Sequence, residues 1–201
     1  LEKVDGKLIH ISTDYVFDGN SFLPYQELDE VNPIGVYGNT KRRGEIAVIN
    51  SDVDGIVIRT SWLYSAYGNN FVKTMLRLGN ERDELGVIFD QVGTPTNASD
   101  LAKTCLDILS SKTPDRICSK GKIYHFSNEG VASWYDFAFA IMKLGKLNCK
   151  VKPIETKDYL TPAKRPHFSV LNKTKIKNDF TIEIPNWKDS LAICISKLNK
   201  K

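Results

Sequence analysis

An α/β fold built on a parallel sheet is predicted by three features of the 201-residue sequence. Short apolar runs rich in β-branched residues recur along it, the signature of buried strands. Between them lie stretches with apolar residues at helical spacing, long enough to cross back over a sheet. No internal repeat, linker or low-complexity segment interrupts this alternation.

The elements follow in order. "KLIHIS" (7–12) is a strand, and it runs into "TDYVFDGNSFLPYQELDEVNP", a long polar loop with turn residues and aromatics. Loops of this length inside a domain usually carry function. Pro33 suits a first helical turn, and a helix over about 35–50 follows. "GIVIRTS" (55–61) is the second strand, with Arg59 inside its buried pattern and so expected to pair with an acid. "YGNNFVKTMLRLGN" (67–80) reads as a loop and a helix carrying Phe71, Met75 and Leu78 on one face. "LGVIFD" (85–90) is a third strand. The helix after "GTPT" has Asn97 or Ser99 as its cap and Leu101, Cys105, Leu106 and Leu109 as its stripe. "KIYHFSN" (122–128) is a fourth strand, and "ASWYDFAFAIMKLG" an aromatic-rich helix stopped by Gly145. "KVKPIET" is a short strand, and the polar 161–181 stretch, with its basic "TPAKRPHFSVLN" loop, reads as a surface flap. A last helix begins near Asn186, apolar at Leu191, Ile195 and Leu198.

Composition narrows the function. Hydrophobic residues make up 41% and charged residues 26%, as in a soluble globular protein. No apolar run reaches the ~20 residues of a membrane span, and the start has neither the apolar core nor the cleavage site of a secretory leader. A cytoplasmic protein is expected. The formal charge of +4 is concentrated near the C-terminus. No aromatics interleave with those lysines, so a solvated surface is expected rather than a nucleic-acid interface. Cys105, Cys118, Cys149 and Cys194 lack knuckle spacing, and His10, His125 and His167 stand apart. Four free thiols and no metal site are expected.

The chemistry begins with "VYGNTKRRGE" (36–45), which sets Tyr37, Lys41 and Glu45 at i, i+4 and i+8 of one helix. An ammonium beside a phenol favours the phenolate. A tyrosine so placed can donate a proton to a carbonyl oxygen as hydride reaches carbon. The same spacing also occurs on plain helix faces. "ISTDYVFDG" puts Ser12, Thr13 and Asp14 past the carboxyl end of a buried strand, where open parallel sheets bind ligands. Thr13 can bond a substrate carbonyl there, or simply satisfy a turn. "GNNF" precedes a helix, so Asn69 or Asn70 can meet a phosphate or cap the helix. Arg165 can fork a phosphate or stand on the surface.

In this order "STDYVFDG", "PIGVYGNTKRRGE", "IRTSWLYSAYGNNFVKTMLRL", "DQVGTPTNASDLA" and "KRPHFSVLN" resemble the dTDP-4-dehydrorhamnose reductases of the extended short-chain dehydrogenase/reductase superfamily. The resemblance covers most of residues 7–198. It implies a Rossmann-like parallel sheet with a smaller α/β substrate-binding lobe. Residues 1–62 would belong to the dinucleotide-binding part and 63–201 mainly to the lobe, with 85–110 returning to the sheet. The implied activity is NADPH- or NADH-dependent reduction of a nucleotide-sugar C4 ketone. A related sugar-nucleotide reductase or epimerase, and a non-catalytic regulatory module, are the alternatives.

The resemblance also implies roles. Tyr37 is the general acid, Lys41 favours its phenolate and bonds the nicotinamide ribose, and Thr13 completes the catalytic triad. Thr13, Asp14, Trp62, Asn70 and Arg165 are the implied substrate contacts, Trp62 otherwise being a core anchor. Some relatives bind Mg²⁺ through glutamates, but Ser99 and Asp100 stand at the corresponding place here, which speaks against a metal. No Gly-x-x-Gly-x-x-Gly follows any strand. The sequence therefore reads as a C-terminal fragment lacking roughly three strand–helix units of ~30 residues each. Its first strand would then expose an edge, which predicts dimerisation, swapping or local disorder.

Overall fold

The computed structural model describes residues 1, 6–110, 121–159 and 164–199. In chain order its elements are β1 (Leu8–Thr13), a 3₁₀ turn (Asp14–Val16), α1 (Val36–Ile49), β2 (Gly55–Thr60), β3 (Leu63–Tyr64), α2 (Phe71–Glu81), β4 (Glu84–Ile88), β5 (Val92–Gly93) and β6 (Thr96–Asn97). Then come α3 (Ala98–Ser110), β7 (Lys122–His125), β8 (Ala132–Ser133), α4 (Trp134–Gly145), β9 (Lys150–Ile154), α5 (Thr174–Phe180) and α6 (Trp187–Leu198).

Strand β2 is buried at every position and lies at the centre of a parallel sheet ordered β1–β2–β7. Register pairs Ile58 with Ile11 on one side and with Tyr124 on the other. Ile56, Ile58, Tyr124 and Phe126 form a core with Leu101 and Ile108 of α3 and Ile176 of α5. A second core joins α2, α4 and α6 around Val72, Phe137, Ile141 and Leu191. It is roofed by β4 and β9, which pair in parallel from Glu84↔Lys150 to Ile88↔Ile154.

This pairing differs from the expectation for 85–110. The strand at 84–88 joins β9 and not the first sheet, whose third strand is β7. Only α3 of that segment packs on the sheet, through Leu101 and Ile108. The reason is visible in β4, where buried and exposed residues alternate, whereas β2 is covered on both faces.

Other details depart as well. Asn97 is the cap of α3, its Oδ1 accepting from Ser99 N at 2.9 Å. The buried stripe of α3 is Leu101, Thr104 and Ile108, while Leu106 and Leu109 face outward. Pro33 precedes α1 rather than entering its first turn. Helix α4 is capped by Lys146, just past Gly145, in the left-handed conformation at φ 55°. Gly145 serves close approach instead: a Cβ there would come within 2.7 Å of Leu76 on α2.

The expected surface flap is structural. Ser169, Val170, Leu171 and Lys173 are buried, and short bridges tie Leu171 to Tyr25 and Phe168 to Val92. Helix α5 follows, with Ile176 in the first core. Cys105, Cys149 and Cys194 are free thiols, and Cys118 lies outside the described residues. No helix of the described residues is long and apolar enough to cross a membrane.

Candidate active site

Helix α1 is drawn against the end of β1 by a missing side chain. A Cβ at Gly38 would lie 2.1 Å from the Tyr15 carbonyl oxygen, so any larger residue would push the helix off the turn. The stripe seen in the sequence is then held at two levels below Tyr37. Lys41 Nζ donates to the Ile11 carbonyl at 2.7 Å. Glu45, fully buried, accepts from Ser12 Oγ at 2.6 Å and takes both Arg59 bonds, Nε at 2.8 Å and Nη2 at 2.9 Å. Arg42 adds a third cationic bond at 3.0 Å. Glu45 is therefore the anchor of the helix, and Arg59 pairs with an acid as its buried position required. Burial pushes the Glu45 carboxyl up, but the Arg59 bonds and charge outweigh it and hold it below the usual range.

A cavity of about 400 Å³ opens at the carboxyl ends of β1 and β2. Its walls include Thr13, Asp14, Tyr15, Tyr37, Lys41, Thr60, Ser61, Trp62 and Trp134. Five of the residues named from the sequence as catalytic or substrate-contacting, Thr13, Asp14, Tyr37, Lys41 and Trp62, thus share one space. Tyr37 is 56% exposed, so its phenol is accessible, and its ring meets the edge of Tyr15 at 5.8 Å. Tyr15 is a poor proton donor: burial, then the Asp14 charge, pushes its phenol to about 12. Thr13 Oγ1 accepts from Tyr15 N at 3.2 Å and hydrogen bonds Asp14 Oδ1 at 3.1 Å. Asp14 is buried, and its Oδ2 has no hydrogen-bond partner among the described residues.

Trp62 packs against the second core and also lines the cavity. Its backbone sits at φ 47°, a conformation that costs a bulky residue about 1–3 kcal/mol. Its ring stacks on Trp134 with centroids 3.6 Å apart and planes 7° from parallel, which holds it against the cavity. Trp134 escaped the sequence reading because it lies far away in the chain, inside a helix that looked merely aromatic. Its position directly after Ser133, which forms a capping box with Asp136, was the available signal that it begins a helix beside a loop.

Asn70 and Arg165 are placed elsewhere. Asn70 is the cap of α2: its Oδ1 accepts from Lys73 N, and its Nδ2 donates to the Ser65 and Tyr67 carbonyls. These bonds use its polar atoms locally, and it lines neither cavity. Arg165 lines a second cavity of about 370 Å³, with Arg82, Glu84, Phe71, Leu78 and Tyr159. Trp134 borders both spaces. Among the described residues no group of three or more His, Cys, Asp or Glu can hold a metal ion. Asp100 is committed internally, accepting from Asn128 Nδ2 at 2.7 Å and from Ser190 Oγ.

Comparison with known proteins agrees with this geometry. The family model described as the RmlD substrate binding domain matches residues 1–200. A dTDP-4-dehydrorhamnose reductase from Sinorhizobium fredii is 43% identical over 187 residues, 91% of this chain and 63% of the relative. The chain thus spans under two thirds of that relative's length. A crystal structure of a dTDP-4-dehydrorhamnose reductase from Clostridium acetobutylicum superposes with a TM-score of 0.89 at 43% identity, covering 98% of this chain and 68% of the other. The Bacillus anthracis reductase, solved in complex with NADP, also gives 0.89, at 36% identity, over 97% of this chain and 67% of that one. With sequence motifs, fold and comparisons in agreement, the chain belongs to the RmlD substrate-binding domain family.

Proposed function

We propose that this chain supplies the proton-transfer and substrate-binding machinery of a reductase. The reaction is NADPH- or NADH-dependent reduction of the C4 ketone of dTDP-4-dehydro-6-deoxy-L-mannose to dTDP-L-rhamnose. The observation that carries the reading is the convergence of Tyr37, Lys41 and Thr13 on one cavity at the sheet's carboxyl ends. The names of the similar proteins support the choice of sugar.

The residues fit a nicotinamide partner: Tyr37 presents an accessible phenol and Lys41 an ammonium in a space open to a planar ring. When bound, the dinucleotide supplies the hydride. Tyr37 then donates a proton to the C4 oxygen, and Lys41 stabilises the phenolate left behind. Thr13 offers a hydroxyl to the same oxygen, and the Trp62–Trp134 stack gives the sugar an apolar floor. The neighbouring cavity suits the nucleoside diphosphate, since Phe71, Leu78 and Trp134 offer apolar and aromatic walls and Arg82 and Arg165 offer phosphate partners. The reading implies a cytoplasmic enzyme whose partner is a soluble nucleotide sugar, not nucleic acid or membrane.

A panel of 4-keto sugar nucleotides, assayed with the full-length protein and NADPH, tests the substrate assignment. The dTDP-linked 6-deoxy-4-keto-L-sugar should be consumed with the highest kcat/KM. Preference for a different sugar would contradict the assignment while leaving the reductase chemistry intact.

A further inference from the structure

The chain also holds a device for aiming the Thr13 hydroxyl. A hydroxyl has one proton to give and two lone pairs to fill. One Thr13 lone pair is filled by Tyr15 N–H, at 3.2 Å. The remaining contact, 3.1 Å to Asp14 Oδ1, can be made by either proton. An ionised Asp14 only accepts, so it would take the one Thr13 proton and leave a lone pair facing the cavity. That arrangement repels a carbonyl oxygen. A neutral Asp14 donates instead. Both Thr13 lone pairs are then occupied and the proton points to the ligand.

We propose that Asp14 is a positioning residue: as a neutral acid it donates to Thr13 Oγ1 and so turns the Thr13 hydroxyl into a donor toward a carbonyl oxygen in the cavity. The inference rests on reading that cavity as a carbonyl-reduction site. Its geometric basis is the burial of Asp14, 2% exposed, and the lack of any partner for Oδ2 among the described residues. A buried carboxylate with an unsatisfied oxygen is strongly disfavoured. The surroundings agree. Tyr15 lies in the same turn, and α1 brings Tyr37 and Lys41. The segment after residue 164 brings Ser169 and, beside Tyr15, Arg165. The stretch between β2 and β3 adds only the uncharged Ser61 and Trp62 to the wall. Lys41, the cation of this cavity, donates to the Ile11 carbonyl rather than to Asp14. Burial accordingly pushes the Asp14 carboxyl up to about 7, and the nearby Ser169 and Thr13 hydroxyls pull it back down only in part.

The test uses the full-length protein and compares kcat across neutral pH for wild type, Asp14→Asn, Thr13→Val and Tyr37→Phe. Wild-type kcat should fall as pH rises through about 7. Asp14→Asn, whose amide N–H replaces the acid O–H, should lose that limb. Thr13→Val should lower kcat by ~10²-fold, as removal of an oxyanion donor does. A wild-type-minus-D14N infrared difference spectrum should show a neutral carboxylic acid below pH 7 that fades above it. An unchanged limb in Asp14→Asn, or a carboxylate band already dominant below pH 7, would overturn the inference. Full activity in Tyr37→Phe would instead overturn the reading of the site, and the infrared result would stand apart from it.

Discussion

At the scale of single residues, two buried groups respond to pH with opposite sign. Burial, then the Arg59 charge, pulls His125 down to about 3, so it is neutral in the folded state. The unfolded chain binds that proton near pH 6.5, and stability from His125 is lost as pH falls from there toward 3. Asp14 does the reverse. Its folded value of about 7 exceeds the unfolded 3.8, so the fold holds an extra proton between them and stability drains away as pH rises through that window. Asp14→Asn should therefore raise the melting temperature at pH 8 and leave it unchanged below pH 4, measured by thermal unfolding at both. A larger gain in acid would contradict the account. Stability given up at a ligand site is a common companion of function.

The sequence candidates that line the cavity come from short motifs: Thr13 and Asp14 at the end of β1, Trp62 just past β2, and Tyr37 and Lys41 on α1. Spacing alone left Tyr37 and Lys41 ambiguous, since any helix face can carry that pair. Asn70 was ambiguous for another reason, because a cap and a phosphate ligand want the same side chain at the same place. The Trp62–Trp134 stack depends on a tertiary contact that no local pattern records.

Among elements, α1 is the one that matters most to the site, and its own sequence binds it weakly. Its N-cap, Gly35, makes no side-chain capping bond. What fixes it is the Glu45–Arg59 pair below and the Gly38 contact above. Removing one partner of a buried ion pair typically costs about 3–5 kcal/mol. Glu45→Ala should lose stability of that order in denaturant unfolding, because Arg59 would remain buried without its acid. A change below ~1 kcal/mol would place the pair among ordinary surface bridges. The strands and longer helices were legible from period and composition. Helix α5 was not, for it is short and lysine-rich, with Ile176 as its buried contact. The α3 stripe was misjudged because Leu106 and Leu109 are apolar but exposed, while Thr104 is polar and buried.

For the molecule as a whole, the three-stranded sheet has β1 as an outer strand. Strand β1 pairs with β2, and among the described residues no strand covers its other edge. Its residues are only half-buried up to Ile11. An open edge with unpaired backbone groups recruits another strand. The 201-residue chain on its own should therefore self-associate in size-exclusion chromatography with light scattering. A clean monomer whose β1 amides resist hydrogen exchange would contradict that expectation. The parallel α/β architecture was legible because strands and helices alternate along the chain. Which strand joined which sheet was not, since β4 and β7 are similar apolar runs distinguished by packing on their faces.

All three scales meet in the claim that Tyr37 delivers the proton. Turnover of Tyr37→Phe in the full-length protein, with NADPH and the dTDP-linked 4-keto sugar, tests it most directly. Loss of a general acid should lower kcat by ~10²–10⁴-fold with the fold intact by circular dichroism. Wild-type turnover in that variant would contradict the account.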